Sequence, residues 1–221
     1  MLRFHLVTLF KDACEPYLGA SILGRAQEKK KISVSYQNPR DYVTSRWGKV
    51  DERPYGGGPG MVMQAMPVVK AVEKAVGKKK GKKAIVWFEP YAKQFDNKEA
   101  DKLATYDDIV FVCGRYEGID ERAKKILKTL APLKTYAVGE AVYTGGEVPA
   151  LAIIDAITRR LPGVLGKDAS VEERRVASRA VYTRPETIEY KRKRYTVPAI
   201  LRTGHHANMD AWKQRRSAKK V

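Results

Sequence analysis

Ile109-Val110-Phe111-Val112 is an unbroken apolar run, the pattern of a strand buried on both faces. Ile119, Ala123, Ile126, Leu127 and Leu130 then fall on one face of a helix. The same reading predicts a first strand over Leu2 to Leu9 and a short helix over Tyr17 to Ala26 with Leu18, Ile22 and Leu23 inward. A second strand follows over Ile32 to Tyr36. Pro67 opens a helix with the stripe Val68, Val69, Val72 and Val76, and Ala84 to Phe88 forms another buried strand. A further strand-to-helix unit starts at Tyr136 and ends in a helix from Pro149 to Leu161. Strands alternating with helices predict an α/β fold with a parallel sheet. Asn38 to Met63 is polar, irregular and glycine-rich, and connectors of that length are usually functional or disordered.

Composition adds a partner to this picture. The 221 residues suffice for one sizeable domain, alone or with a small appendage, and 43% of them are hydrophobic. The formal net charge of +18 favours a polyanion, since neutralised phosphates release counterions. About half of that charge lies beyond Gly166, whereas Lys78-Lys79-Lys80-Gly81-Lys82-Lys83 reads as a solvated connector. Lys167 to Arg179 is charged and weakly periodic, as a linker is. A last helix from near Ala207 puts Met209 and Trp212 on one face and leaves Lys213, Arg215 and Arg216 exposed. Two cysteines, Cys14 and Cys113, exclude a disulfide framework and a zinc site, and Cys113 reads as a packed thiol. His205 and His206 have no partner ligands at metal spacing, so no metal site is expected. No signal-peptide pattern and no apolar run near the roughly 20 residues of a membrane span occur, which predicts a cytoplasmic protein away from membranes.

Three glycine loops carry the candidate chemistry. Cys113-Gly114-Arg115-Tyr116-Glu117-Gly118-Ile119-Asp120 joins a strand to a helix, where open α/β sheets bind ligands. A second loop, Gly139-Glu140-Ala141-Val142-Tyr143-Thr144-Gly145-Gly146-Glu147, also runs into a helix, and Pro54-Tyr55-Gly56-Gly57-Gly58-Pro59-Gly60-Met61-Val62-Met63 lies upstream. No loop ends in Gly-Lys-Ser/Thr, and none has a dinucleotide fingerprint between strand and helix.

At these loops, and on through Leu161-Pro162-Gly163-Val164-Leu165-Gly166, Tyr182-Thr183-Arg184-Pro185, Val197-Pro198 and Gly204-His205-His206-Ala207, the chain resembles the bacterial tRNA (guanine(37)-N1)-methyltransferase family of the knotted methyltransferase superfamily. The resemblance implies a parallel sheet with a deep trefoil knot between about Phe88 and Gly146, and a small, mostly helical carboxyl-terminal domain. The implied division is residues 1–162, a linker at 163–178 and a basic tRNA-binding domain at 179–221. It implies S-adenosylmethionine as methyl donor, with magnesium as a further candidate. The donor would lie among Glu89, Pro90, Gly114, Arg115, Tyr116, Glu117, Gly118, Val138, Gly139, Glu140, Ala141, Val142, Tyr143, Gly145 and Gly146. Glu89 stands where the family usually has Ser, and Ala141 where an aromatic is common.

Methyl transfer to guanine N1 requires a base for the N1 proton and a donor for the charge developing on O6. The family's Arg matches Arg159, but its Asp falls on Arg174, which cannot act as a base. Glu173 is one residue away, Asp168 and Glu172 are near, and loss of the base is the remaining reading. Arg184, Lys191, Arg192, Arg202 and His206 are expected to meet tRNA. The resemblance further implies a homodimer with active sites shared between subunits, to which the Leu151, Ile154 and Ile157 face would contribute. A knotted RNA-binding protein without catalysis and a methyltransferase of ribosomal RNA are the alternatives.

Overall fold

A computed structural model of the chain describes residues 1–44, 46–78, 80–165, 180–202, 204–205, 207–209 and 211–212. These belong to two compact units, Met1–Leu165 and Gly166–Val221.

The first unit is built on a five-stranded, wholly parallel sheet in the order β2-β1-β6-β5-β7. Its strands are β1 (Leu2–Val7), β2 (Ile32–Gln37), β5 (Lys83–Phe88), β6 (Asp108–Val112) and β7 (Leu133–Tyr136), and a two-residue pair, β3 (Asp51–Glu52) with β4 (Val62–Met63), stands apart. The continuous apolar runs have the cause anticipated for them, because β6 is central and every one of its residues is buried. On one face, Phe4, Leu6, Val86, Ile109 and Phe111 pack against α1 (Lys11–Leu18), α2 (Ser21–Glu28), α4 (Asn97–Leu103) and α6 (Glu147–Thr158). On the other, Val7, Ile85, Trp87, Val110 and Val112 pack against α3 (Ala65–Val76) and α5 (Glu121–Leu130). The result is helix, sheet, helix, with loops leaving the sheet at its carboxyl edge.

Several local expectations need correction. The single helix over Tyr17 to Ala26 is two helices, α1 and α2, broken at Gly19 and Ala20. A Cβ on Gly24 would lie 2.2 Å from the Gly19 carbonyl oxygen, so the break is packed against the second helix. Ile22 and Ile126 are more than a third exposed, while their neighbours Leu23 and Leu127 are buried. Ile154 and Ile157 are fully buried against the sheet, and Leu151 partly so, so the first two belong to the core of this unit and not to an exposed face. Lys82 and Lys83 are not free connector charges. Lys82 lies 4.3 Å over the Tyr106 ring, and Lys83 Nζ donates to the Val76 and Gly77 carbonyls at the end of α3.

In the second unit the described residues form an antiparallel hairpin, β8 (Thr187–Tyr190) with β9 (Lys193–Thr196), a 3₁₀ turn at Ala199–Leu201 and a helical stretch at 207–209. A hairpin, and not mainly helix, is therefore what the described part of the basic tail contains. Periodicity misses it because Thr187 to Thr196 has its strand residues almost wholly exposed. No helix of the described residues is long and apolar enough to cross a membrane.

Candidate active site

Because β6, β5 and β7 are neighbours and all run the same way, the segments that follow them emerge side by side. They enclose a cleft of about 300 Å³, lined by Phe88, Glu89 and Pro90 after β5, Gly114 to Gly118 after β6, and Tyr136 to Val138, Ala141 to Gly146 and Pro149 around the β7–α6 loop. That size is at the lower end of the range of about 300–1,000 Å³ usual for small-molecule sites. The third glycine loop braces the wall. Glu117 donates its amide to the Met61 carbonyl (3.0 Å), Met63 to Gly118 (2.9 Å) and Asp120 to Met63 (2.9 Å).

Gly146 is needed for close approach. A Cβ there would lie 2.6 Å from Cα of Cys113, and the Gly146 amide donates to the Gly114 carbonyl at 3.0 Å, so at this point two of the loops touch backbone to backbone. Tyr116 holds φ at +58°, a left-handed conformation that is costly for an aromatic residue and is found disproportionately at ligand sites.

Charge in the cleft is organised by contacts between distant parts of the chain. Glu147, the first residue of α6, is buried, and its carboxylate faces the positive end of the helix dipole. Thr8 Oγ1 donates to Glu147 Oε1 at 2.6 Å and accepts from the Phe10 amide at 3.0 Å. Glu147 Oε2 lies 3.0 Å from Arg115 Nε as an ion pair without hydrogen-bond alignment, and the guanidinium stacks 4.4 Å from the centre of the Phe10 ring. Beneath the cleft, Tyr136 donates its hydroxyl to Glu99 Oε2 at 2.7 Å, and Glu99 also accepts from Lys93 and Lys102. These three donors hold the Glu99 carboxyl down at about 2. Burial, reinforced by Glu147, pushes the Cys14 thiol up to about 11, and burial raises Cys113 well above the usual thiol range, so neither is a thiolate nucleophile at neutral pH.

Most of the residues singled out along the loops meet at this cleft: Glu89, Pro90, Gly114, Arg115, Tyr116, Glu117, Gly118, Val138, Ala141, Val142, Tyr143, Gly145 and Gly146. Gly139 and Glu140 do not line it. Gly139 turns the chain at φ +71° with its carbonyl taken by the Gln94 side chain, and Glu140 is exposed. Phe88, Tyr136, Ala137, Thr144 and Pro149 also line the cleft and were not anticipated. Nor were Thr8 and Lys124, although Thr8 is a polar residue at the end of an apolar strand, a legible irregularity.

Arg159 is not at the cleft. It caps the carboxyl end of α6, whereas the cleft reaches that helix no further than Pro149, so a rise of about 15 Å along the helix separates the two. The neighbouring Arg160 is a structural residue, buried with its guanidinium on the Ala156 carbonyl, Asn97 and Asp101. Asp168, Glu172, Glu173 and His206 lie outside the described residues. In the second unit Arg184, Lys191 and Arg192 are exposed, and Arg202 is ion-paired with Glu186. Among the described residues no group of three or more His, Cys, Asp or Glu is disposed to hold a metal ion.

Comparison with known proteins points to a tRNA methyltransferase family. The profile of the family described as tRNA (Guanine-1)-methyltransferase TrmD matches residues 2–221. A tRNA (guanine-N(1)-)-methyltransferase of Vibrio campbellii is 36% identical over 216 residues, covering 96% of this chain and 84% of the relative. Proteins of the same name from Carboxydothermus hydrogenoformans and Bacillus cereus are 36% and 37% identical, covering 98% and 100% of this chain and 83% and 88% of theirs. The chain therefore belongs to the tRNA (guanine-1)-methyltransferase family of enzymes.

Proposed function

We propose that the protein transfers a methyl group from S-adenosylmethionine to N1 of the guanine immediately 3′ of the anticodon, position 37, in tRNA, and that it does so in the cytoplasm as a homodimer. The observation that carries this reading is the meeting of the β5, β6 and β7 loops in one glycine-walled cleft, in a chain that matches the family from end to end. The residues present suit the donor. Aromatic and aliphatic side chains of Phe88, Tyr136, Val138, Val142 and Tyr143 offer a slot for a flat base, and the close approach at Gly146 narrows the wall. Bound there, S-adenosylmethionine supplies an electrophilic methyl group on a sulfonium.

Everything else falls to the chain. Arg115, fixed by Glu147 and Phe10, is a wall that cannot swing away, and the pair adds no net charge beside the sulfonium. A carboxylate must take the N1 proton, and Glu173 is the first candidate, with Asp168 and Glu172 next. Arg159 is assigned to donate to O6 as its charge grows. Its separation of about 15 Å from the cleft along its own helix supports a site completed by a second copy, with Arg159 of one subunit serving the cleft of the other. The trefoil knot belongs to the same reading. The segment after β5 runs beside the one after β7, with the Phe95 amide on the Ala137 carbonyl at 2.8 Å and the Ala137 amide on the Lys93 carbonyl at 3.0 Å, a close pairing compatible with that topology.

The test is single-turnover transfer of a labelled methyl group to tRNA transcripts carrying guanine or adenine at position 37. Transfer to N1 of guanine alone is expected, with a loss of about 10²-fold or more in Glu173→Gln. Binding without transfer would instead favour an RNA-binding protein that has lost catalysis, and an unchanged rate in Glu173→Gln would move the base to Asp168 or Glu172.

A further inference from the structure

Glu89 is the first residue beyond β5, the central strand of the three that feed the cleft, and its backbone is fixed on both sides. Its amide donates to the Tyr136 carbonyl at 3.1 Å, and its carbonyl accepts from the Ala92 amide at 3.2 Å. Glu89 Oε1 is ion-paired with Lys124 Nζ, which reaches up from α5. The Lys124 side chain is 14% exposed and that of Glu89 38%, so the ammonium is the buried partner and the carboxylate the one that opens on the cleft. Lys124 Nζ also lies 5.9 Å from the ring centre of the buried Trp87, which restrains it further. Oε2 of Glu89 accepts no hydrogen bond among the described residues.

We infer that Glu89 is a specificity residue whose free carboxylate oxygen accepts a hydrogen bond from the ribose hydroxyls of the nucleoside held in the cleft, with Lys124 as its positioning residue. The inference rests on the cofactor reading above and adds which group of the cofactor this side chain selects. A carboxylate with one oxygen pinned and one oxygen free is the acceptor that vicinal hydroxyls match, and acidic residues in nucleotide-binding sheets use that pairing. The pair carries no net charge, which suits a neutral diol. An ammonium, such as that of an amino-acid tail, would meet the Lys124 charge on the same carboxylate and gain little. The geometry agrees. The flat apolar lining comes mainly from the β7 side, and Glu89 stands one strand spacing away, about 4.8 Å, the order of the step from a base to its sugar.

The test is calorimetric titration of the full chain with S-adenosylhomocysteine, with 5′-methylthioadenosine, which lacks the amino-acid tail, and with the 2′-deoxy and 3′-deoxy forms of the latter. Wild type is expected to lose about tenfold or more in affinity when the selected hydroxyl is removed. Glu89→Ala should bind both tailed and tailless ribonucleosides about tenfold more weakly and no longer distinguish the deoxy forms. Glu89→Gln, which keeps the shape and one carbonyl oxygen, should retain part of the discrimination. Lys124→Arg should preserve it and Lys124→Ala reduce it. An unchanged ribose-to-deoxyribose ratio in both Glu89 variants overturns the inference. So does a loss confined to S-adenosylhomocysteine, which would assign the carboxylate to the ammonium. Failure of the wild type to bind any of these ligands would overturn the cofactor reading itself, a result distinct from the other two.

Discussion

Glu147 Oε2 lies 3.0 Å from Nε of Arg115, tying the first turn of α6 to the loop after β6 across the floor of the cleft. Removing the carboxylate leaves a guanidinium whose side chain is only 23% exposed facing the amino end of a helix, and it leaves the Thr8 hydroxyl without its acceptor. Glu147→Ala is therefore expected to cost about 3 kcal/mol, in the range for breaking a buried pair. Thr8→Val should cost about 1 kcal/mol, as for one hydrogen bond. Urea unfolding of both variants checks the order. Equal, small losses would mean that the contact contributes little.

Acid stability should report on the opposite wall. The Glu99 carboxyl is lowered from its ordinary 4.5 to about 2 by hydrogen bonds from Lys93, Tyr136 and Lys102. A folded value below the unfolded one means that the stabilisation is complete above about pH 4.5 and disappears as the pH falls from there towards 2. Tyr136 lines the cleft while bonded to Glu99, so the cleft should loosen in the same window. Urea midpoints measured from pH 5 to pH 2 should fall more steeply for wild type than for Glu99→Gln. Parallel curves would show that Glu99 is not a source of the acid limb.

The glycines of the cleft should differ in what they tolerate. At Gly146 a Cβ meets the Cys113 backbone at 2.6 Å, which no side-chain movement relieves. Gly139 has room, with Tyr143 Oη at 3.6 Å, but its φ of +71° strains any other residue by roughly 1–2 kcal/mol. At Gly114 a Cβ makes an ordinary 3.4 Å contact with Ile119. Thermal unfolding should rank the alanine variants Gly146 worst, Gly139 next and Gly114 near wild type. A destabilised Gly114→Ala would contradict the space seen there.

The same positions show what a sequence discloses. Parallel strands buried on both faces are written as apolar runs, so β5 and β6 and the loops behind them are legible. The three cleft loops are legible by their glycines as well. Periodicity names an apolar face but not what covers it, which is why Ile154 and Ile157 read equally well as an interface and as core. The Thr8–Glu147 contact joins residues 139 apart in the chain, and only the sheet order that sets β1 beside β6 brings them together. Arg159 is a matter of distance. Its motif is visible in the sequence, but its place at the far end of α6 is not.

The hairpin of the basic tail carries the last prediction. β8 and β9 are joined by Lys191 and Arg192, with φ of +47° and +61°. A two-residue turn with both φ positive is one that Asn-Gly favours, because its twist suits the strands, and Lys-Arg adopts it only against a steric penalty. The cations are thus kept at a tip where they weaken the local fold. That is the arrangement expected if the tip is selected for contact with phosphate. Replacing the pair together, Lys191→Asn with Arg192→Gly, should slow hydrogen exchange at the β8 and β9 amides and at the same time weaken tRNA binding. The slope of log affinity against log salt should fall in magnitude by about 1.4–1.8, near 0.7–0.9 for each of two lost phosphate contacts. Arg202→Gln, in which the lost guanidinium is already engaged by Glu186, should change that slope less. A double variant with a steadier hairpin and an unaltered slope would show that the tip does not touch the tRNA backbone, and the search for its phosphate contacts would move to Arg184.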